Sequence, residues 1–251
     1  MADGVEQTAQ IDAVVDDIVA KQVRRFRKMA RGVTPRHCPI CDYRGMFVAF
    51  GQPPRYDARC PSCRSLERHR LLALLLTGEH APFAEGARVL HFAPEPPVTR
   101  VMQSLSLTYE TADILPRRRP THILNIEDID LPDAGFDGII CSHVLEHVDD
   151  AKALAEMFRI LKPGGTALLM TPVCEGWATT YENPAIDGNI DRALHFGQAD
   201  HVRYYGRDLR DRIRAAGFDL AEFTAQEPEV HTHGLIRGET VFLARRPEGP
   251  V

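Results

Sequence analysis

The sequence predicts an α/β protein in which a mostly parallel sheet is doubly wound by helices and preceded by an N-terminal helix and a small metal-binding ribbon. Three observations carry this expectation. From about residue 86 onward, strand-like stretches alternate with stretches of helical periodicity, the pattern of a sheet covered on both faces. Cys38, Cys41, Cys60 and Cys63 form two C-x2-C pairs separated by eighteen residues. Ahead of them, Ile11, Val14, Val15, Ile18, Val23, Phe26 and Met29 recur at helical spacing.

The chain has 251 residues, 44% apolar and 26% charged, which is the balance of an ordinary soluble globular protein. Its formal net charge of −5 argues against a surface that coats nucleic acid generally, while leaving room for a local basic patch. The opening MADGVEQTAQ has neither a basic region nor an apolar core of the secretory kind, and LLALLL (71–76) is too short to span a bilayer. The expectation is a cytoplasmic protein whose cysteines are reduced or metal-bound.

Taken in order, residues 1–36 are expected to hold an amphipathic helix over 6–31, stopped by Gly32, with a packed apolar stripe and a basic second half, KQVRRFRKMARG. Residues 37–80 read as the ribbon and a linking helix. MFVAF and YDARC flank GQPPR as a hairpin, and SLERHRLLALLLTG reads as a helix with Ser65 as N-cap and Gly78 past its end. Within 81–251, ARVLHF, LTYETAD, THILNI, FDGIICS and TALLMTPV read as strands, and VTRVMQSL, DDAKALAEMFRILK and GRDLRDRIRAAG as helices. FDLAEFTA and GETVFLARR follow each other without a helix, so one antiparallel strand is expected at the sheet edge.

The cysteine spacing predicts a zinc ribbon. Two residues between paired cysteines let both thiolates converge on one tetrahedral ion, and four protein ligands leave no open position, so Zn2+ there is structural; a redox dithiol pair is the rival. Cys141 and Cys174 lie outside the set and read as core or loop residues. His231 and His233 form an H-x-H pair expected on a surface loop.

The segment FDGIICSHVLEHVDDAKALAEMFRILKPGGTALLMTP (136–172) resembles the fourth strand, helix and fifth strand of class I S-adenosylmethionine-dependent methyltransferases of the type 11-like kind. Together with RCPSCRSLERHRLL, HFAPE and FGQADHVRYYG, it is similar to a bacterial subgroup with an N-terminal zinc ribbon and an HFAPE first loop. The resemblance implies a Rossmann-like sheet of seven strands and S-adenosylmethionine as cofactor. It places His91 where the family has an acid, and Ala93 and Glu95 where it has glycines. Either the pocket has decayed, or His91, Phe92, Ala93, Pro94 and Glu95 form a related cofactor loop, with Ala93 allowing close approach and Glu95 accepting from the cofactor ammonium. The second reading is preferred.

The resemblance also implies that Asp113, closing the second strand, accepts from the ribose hydroxyls, and that Asn125, Ile126 and Glu127 border the adenine. Ser142 and His143 begin the loop beneath the sulfonium. His143 and His147 are candidate bases, since imidazole titrates near neutral pH; the alternative is that HVLEHV starts a helix, with His147 packing on the sheet. Residues 174–203 form a long aromatic connection read as a substrate lid. Trp177, Tyr181, His195, Gln198, Asp200, His201 and Arg203 are its candidate acceptor contacts, His195 and His201 also as catalytic groups, with an internal Asp200–His201 pair as the alternative.

The expected function is methyl transfer to an oxygen or nitrogen of a small polar acceptor such as a sugar or natural-product intermediate. Two alternatives stand beside it: an RNA base methyltransferase gripping phosphate with the ribbon and the basic run Lys21–Arg36, and a non-catalytic binding protein of the same fold.

Overall fold

The computed structural model describes the backbone of residues 2–30, 32–51 and 53–249. The chain divides into two compact units: residues 1–70 with 226–237, and residues 71–225 with 238–251.

The first unit opens with helix α1 (Ala2–Ala30). Its apolar stripe is not packed as expected: Val14, Val15, Ile18, Val19, Val23 and Phe26 are all exposed, Phe26 at 67%. Ile11 and Met29 lie outside the described side chains. Strands β1 (Pro35–His37) and β2 (Arg44–Met46) pair antiparallel, as do β3 (Val48–Phe50) and β4 (Arg55–Arg59), the expected hairpin. Helix α2 (Glu67–Thr77) follows, beginning two residues after Ser65. The Ser65 hydroxyl lies 3.4 Å from Cys38 Sγ and 3.3 Å from Cys63 Sγ.

The second unit carries a seven-stranded sheet with β5 (Arg88–Phe92), β6 (Thr108–Asp113), β7 (His122–Ile123), β8 (Phe136–Ser142), β9 (Leu161–Met170), and, after a two-stranded ribbon of β10 (Tyr181–Glu182) and β11 (Arg203–Tyr204), the final strands β12 (Asp219–Thr224) and β13 (Thr240–Arg245). The order is β12-β13-β9-β8-β5-β6-β7. Strands β5 to β9 are parallel, whereas β13 runs antiparallel to both β9 and β12. The antiparallel strand thus sits one place in from the edge: the β12–β13 hairpin doubles back and inserts its second arm against β9.

Helices α3 (Pro96–Ser104), α4 (Asp150–Ile160), α5 (Asn189–Phe196) and α6 (Leu209–Ala215) complete this unit. Helix α4 shows why these segments fold locally. Asp149 caps it by accepting from Lys152 N, and Ala153, Leu154, Met157 and Ile160 form one buried stripe at helical spacing. The stripe meets Leu90, Phe92, Ile139, Cys141, Leu169 and Phe242 of the strands in a single core. In LKPGG, Leu161 pairs with Phe136 and Thr166 with Gly138, so the proline and glycines bulge out of a strand already begun.

The link between β12 and β13 returns to the first unit. Helix α7 (Glu229–His233) replaces the expected surface loop, and His233 Nδ1 donates to the His37 carbonyl at 2.8 Å. Arg70, fully buried, organises this unit: its guanidinium donates to the carbonyls of Ser65, Ala58, His233 and Gly234 and lies 4.7 Å over the Phe47 ring. Four of its five fixed donors satisfy carbonyls from three separate chain segments, a task for which the arginine fork is suited.

Candidate functional site

In the first unit, the Sγ atoms of Cys38, Cys41, Cys60 and Cys63 all lie within 4.8 Å of one another, with Cys38–Cys63 at 3.6 Å and Cys41–Cys60 at 3.7 Å. A tetrahedron of thiolates around zinc has S···S edges of about 3.8 Å, so the cluster has the dimensions of that site. The two knuckles share one backbone design. Asp42 N donates to Cys38 O and Arg64 N to Cys60 O, at 2.9 and 3.0 Å. Cys38 N reaches Tyr43 O and Cys60 N reaches Ser65 O, both at 2.9 Å, and Asp42 and Arg64 both take left-handed backbone. Burial pushes the Cys38 and Cys60 thiols up; at Cys41 burial acts the same way but is outweighed by hydrogen bonds from the Tyr43 backbone and the Ser62 side chain, which bring it to about 7.

In the second unit, the carboxyl ends of β9, β8, β5 and β6 lie side by side, the place where open parallel sheets take ligands. Two non-glycine residues there adopt left-handed backbone: Ala93 after β5 (φ 48°) and His143 after β8 (φ 55°). Such strain persists where the surroundings enforce it, and Ala93 N is held by Ala112 O at 2.8 Å and His143 N by Met170 O at 2.8 Å. Ala93 therefore takes the conformation that a glycine would take at this turn. Glu95 stands at the N-cap position of α3, and Pro96 and Pro97 open the helix, where their missing N–H groups leave no donor unsatisfied.

Alternation along β5 decides which of the loop's side chains face the crevice. Phe92 lies in the core, and His91, 0% exposed on the opposite face, hydrogen-bonds through Nδ1 to the Tyr109 hydroxyl at 2.9 Å. Both side chains are buried, because successive strand residues point to opposite faces and both faces here are packed. Pro94 and Glu95 are half-buried at the turn.

Asp113 closes β6 with its carboxylate buried. It accepts from Leu115 N at 2.8 Å and from Arg118 Nη1 at 3.0 Å. Of the expected adenine border, Ile126 is in the core, Asn125 Oδ1 accepts from Glu127 N (3.1 Å), and Glu127 Oε1 accepts from Asp149 N (2.8 Å). Asn125 and Glu127 thus order their own loops, leaving the exposed Asn125 side chain nearest to a free role. Ser142 is buried at the last position of β8. Cys141, fully buried, has its thiol pushed up by burial, which removes it as a nucleophile.

Beyond β8, His143 Nδ1 donates to Glu146 Oε1 at 3.1 Å, and Thr171 Oγ1 donates to Glu146 Oε2 at 2.9 Å. Burial raises the Glu146 carboxyl, but these hydrogen bonds and the facing imidazole outweigh it and hold the group below the usual carboxylate range. His147 is not packed on the sheet. It sits in the turn Leu145–His147 and donates from Nδ1 to the Asp200 carbonyl at 3.1 Å, its ring edge-on to His201 at 4.7 Å.

The connection over 174–203 is ordered, as its aromatics predict. Trp177 stacks edge-on against Tyr181 and the half-buried Tyr204, and the Tyr181 hydroxyl meets His195 Nδ1 at 2.7 Å; Trp177, Tyr181 and His195 are exposed, as are Gln198 and Asp200. His201 does not pair with the Asp200 carboxylate; it is 4% exposed and donates to the Phe196 carbonyl at 3.1 Å. Arg203 is buried and structural rather than an acceptor contact: it donates to Glu182 at 2.8 Å and to the carbonyls of Leu145 and Val148 at 2.9 and 2.5 Å. Tyr205, Asp150, Glu182 and Arg212 join it in one network that sequence reasoning missed. Its members lie up to 62 residues apart, and the only sequence signal is an excess of charge around an aromatic. A separate surface cleft, lined by Phe83, Asp137, Lys162, Gly164 and Arg245, lies at the amino ends of β8 and β9, away from this crevice.

Residues 65–222, more than half of the chain, match the family model described as a methyltransferase domain. The chain belongs to this methyltransferase family. Curated relatives include the ubiquinone/menaquinone biosynthesis C-methyltransferase UbiE of Proteus mirabilis, 34% identical over 40% of this chain and 45% of the relative, and that of Vibrio cholerae, 42% identical over 34% and 35%. The chain spans less than half the length of these relatives. Among solved structures, the Burkholderia thailandensis 1,6-didemethyltoxoflavin-N1-methyltransferase with bound 1,6-didemethyltoxoflavin and S-adenosylhomocysteine superposes with TM-score 0.50, covering 71% of this chain and 78% of that one at 18% identity. That likeness establishes the fold, a seven-stranded methyltransferase sheet. No helix among the described residues is long and apolar enough to cross a membrane.

Proposed function

We propose that this methyltransferase-family chain transfers the methyl group of S-adenosylmethionine to an oxygen or nitrogen of a small polar acceptor. The observation that carries the reading is Asp113, a buried carboxylate closing β6 beside the left-handed Ala93 turn that closes the neighbouring β5. A carboxylate suits a ribose diol, and a turn without a protruding side chain lets the methionine part approach backbone. Phe92 packs in the core, which supports a cofactor beside this turn.

When bound, S-adenosylmethionine supplies a methyl carbon made electrophilic by its sulfonium. Asp113 accepts from the ribose hydroxyls, and the Arg118 side chain, 49% exposed, swings off it into solvent. The Asn125 amide meets the base edge. Glu146 fixes the proton of His143 on Nδ1, so Nε2 is the basic nitrogen that takes the acceptor's proton. Trp177, Tyr181 and His195 close the mouth and exclude water, and the remaining acceleration comes from positioning.

Transfer to carbon is a second reading, supported by the names of the curated C-methyltransferase relatives; His143 would then remove a proton from an acidified carbon. An RNA acceptor has less support, because Arg36 of the basic run is committed to Asp57 at 3.1 Å. In the first unit we infer a structural Zn2+ held by Cys38, Cys41, Cys60 and Cys63.

Calorimetry with S-adenosylhomocysteine tests the cofactor reading. Asp113→Ala should weaken binding roughly 30- to 100-fold, since two charge-assisted hydrogen bonds are lost. A wild-type chain that neither binds nor is stabilised by millimolar cofactor would overturn it.

A further inference from the structure

We propose that Glu146, His147 and His201 bind one divalent transition-metal ion, distinct from the four-cysteine cluster, on the acceptor side of the crevice. One ligand atom from each of the three lies within 4.8 Å of the others. Two of them, Glu146 and His201, are buried at 1% and 4% exposure.

The hydrogen bonding around the cluster is what distinguishes it from a chance gathering of polar groups. Both imidazoles spend Nδ1 on a backbone carbonyl, His147 on Asp200 O and His201 on Phe196 O, each at 3.1 Å. A carbonyl only accepts, so Nδ1 carries the hydrogen in both rings and Nε2 is left as a lone-pair donor. Metal-ligating histidines are oriented in this way, with the second nitrogen donating to a carbonyl or carboxylate. The carboxylate is likewise oriented, by His143 on one oxygen and Thr171 on the other. Val202 N donates to the Glu146 carbonyl at 2.9 Å and so fastens the segment bearing His201 to the turn bearing the other two.

Two imidazole nitrogens and one carboxylate oxygen suit zinc, cobalt, iron or manganese. Bonds of about 2.1 Å require ligand atoms roughly 3.0 to 3.4 Å apart, so the cluster closes slightly on the ion. His147, the most exposed of the three, is the one free to move. Three protein ligands leave a position open. On the methyltransferase reading, that position takes an acceptor oxygen or nitrogen and lowers its pKa; binding of the ion itself does not depend on that reading.

The test is titration of Co2+ into the full chain with its cysteine site already loaded with zinc. One equivalent should bind with weak d–d absorption and without the intense thiolate-to-cobalt band that a cysteine site produces. His147→Gln and His201→Gln should each weaken binding at least about tenfold. His147→Gln, a partly exposed site, keeps the fold and binding of S-adenosylhomocysteine, measured on the same samples. Absence of Co2+ uptake, uptake only with a thiolate band, or undiminished uptake by both variants would overturn the proposal. Loss of cofactor binding by the wild type would instead count against the methyltransferase reading.

Discussion

Replacing Arg203 by alanine separates a structural arginine from an acceptor contact. Its buried guanidinium meets the buried Asp150 at 3.7 Å, the more exposed Glu182 at 2.8 Å, and the carbonyls of Leu145 and Val148. Removing one member of a buried ion pair costs about 3–5 kcal/mol when the partner charge is left alone. Here the carboxylates are not left alone, because Arg212 holds Asp150 at 3.0 Å and Glu182 at 2.7 Å. The Leu145 carbonyl also keeps the Tyr205 hydroxyl. The expected loss therefore falls to about 2–3 kcal/mol, chiefly the orphaned Val148 carbonyl and the lost charge-assisted bond to Glu182. For a unit of this size that is roughly 4–12 °C in melting temperature.

Urea unfolding followed by linear extrapolation measures the loss, and Arg203→Lys should recover little of it, having no planar fork. The acid limb adds a second check. Burial raises the Glu182 carboxyl, yet Arg212 and Arg203 outweigh it and hold the group below its ordinary value. A depressed carboxyl contributes stability above its unfolded pKa and loses it as pH falls through the folded one, so the wild type should lose more stability than Arg203→Ala between neutral and acid pH. A variant within about 1 kcal/mol of wild type, but with weakened acceptor binding, would refute the structural assignment.

Three further outcomes follow from the same geometry. Ala93→Gly should leave stability unchanged or raise it by up to about 1 kcal/mol in urea unfolding, since relief of left-handed strain offsets the glycine's entropy, while Ala93→Val should destabilise by about 1–3 kcal/mol. Cys60→Ser should reduce zinc to well below one equivalent per chain by elemental analysis of protein purified without chelator, and should open residues 37–66 to limited proteolysis. Tyr205→Phe should cost about 1–2 kcal/mol by the same unfolding assay, because its one hydroxyl hydrogen is shared between Asp150 and the Leu145 carbonyl in a fully buried site.

What the sequence alone determined here is what depends on short-range order. The C-x2-C pairs fold into two matching knuckles because each turn closes within six residues. FDGIICS is a strand over the residues its β-branched, apolar run predicts, and Asp149 caps α4 where an acid precedes an apolar stripe. Asp113 at the end of β6 was legible for the same reason, as the last residue of a strand flowing into a turn.

The tertiary structure decided which of two faces a residue takes and which distant partner it finds. His91 and Phe92 stand at the expected turn, but strand alternation sends both into packed layers, and only knowledge of which faces are covered shows this. Arg203 looked like a ligand-facing cation until β11 carried it beside Leu145, Val148 and Glu182. The antiparallel strand moved inward because a hairpin's second arm can pair with β9 as well as with β12, and local sequence does not rank those choices. Glu146, His147 and His201 converge for the same reason: His201 comes from the 174–203 connection, more than fifty residues beyond Glu146, and it is long-range pairing, such as that of His147 with the Asp200 carbonyl, that brings them together.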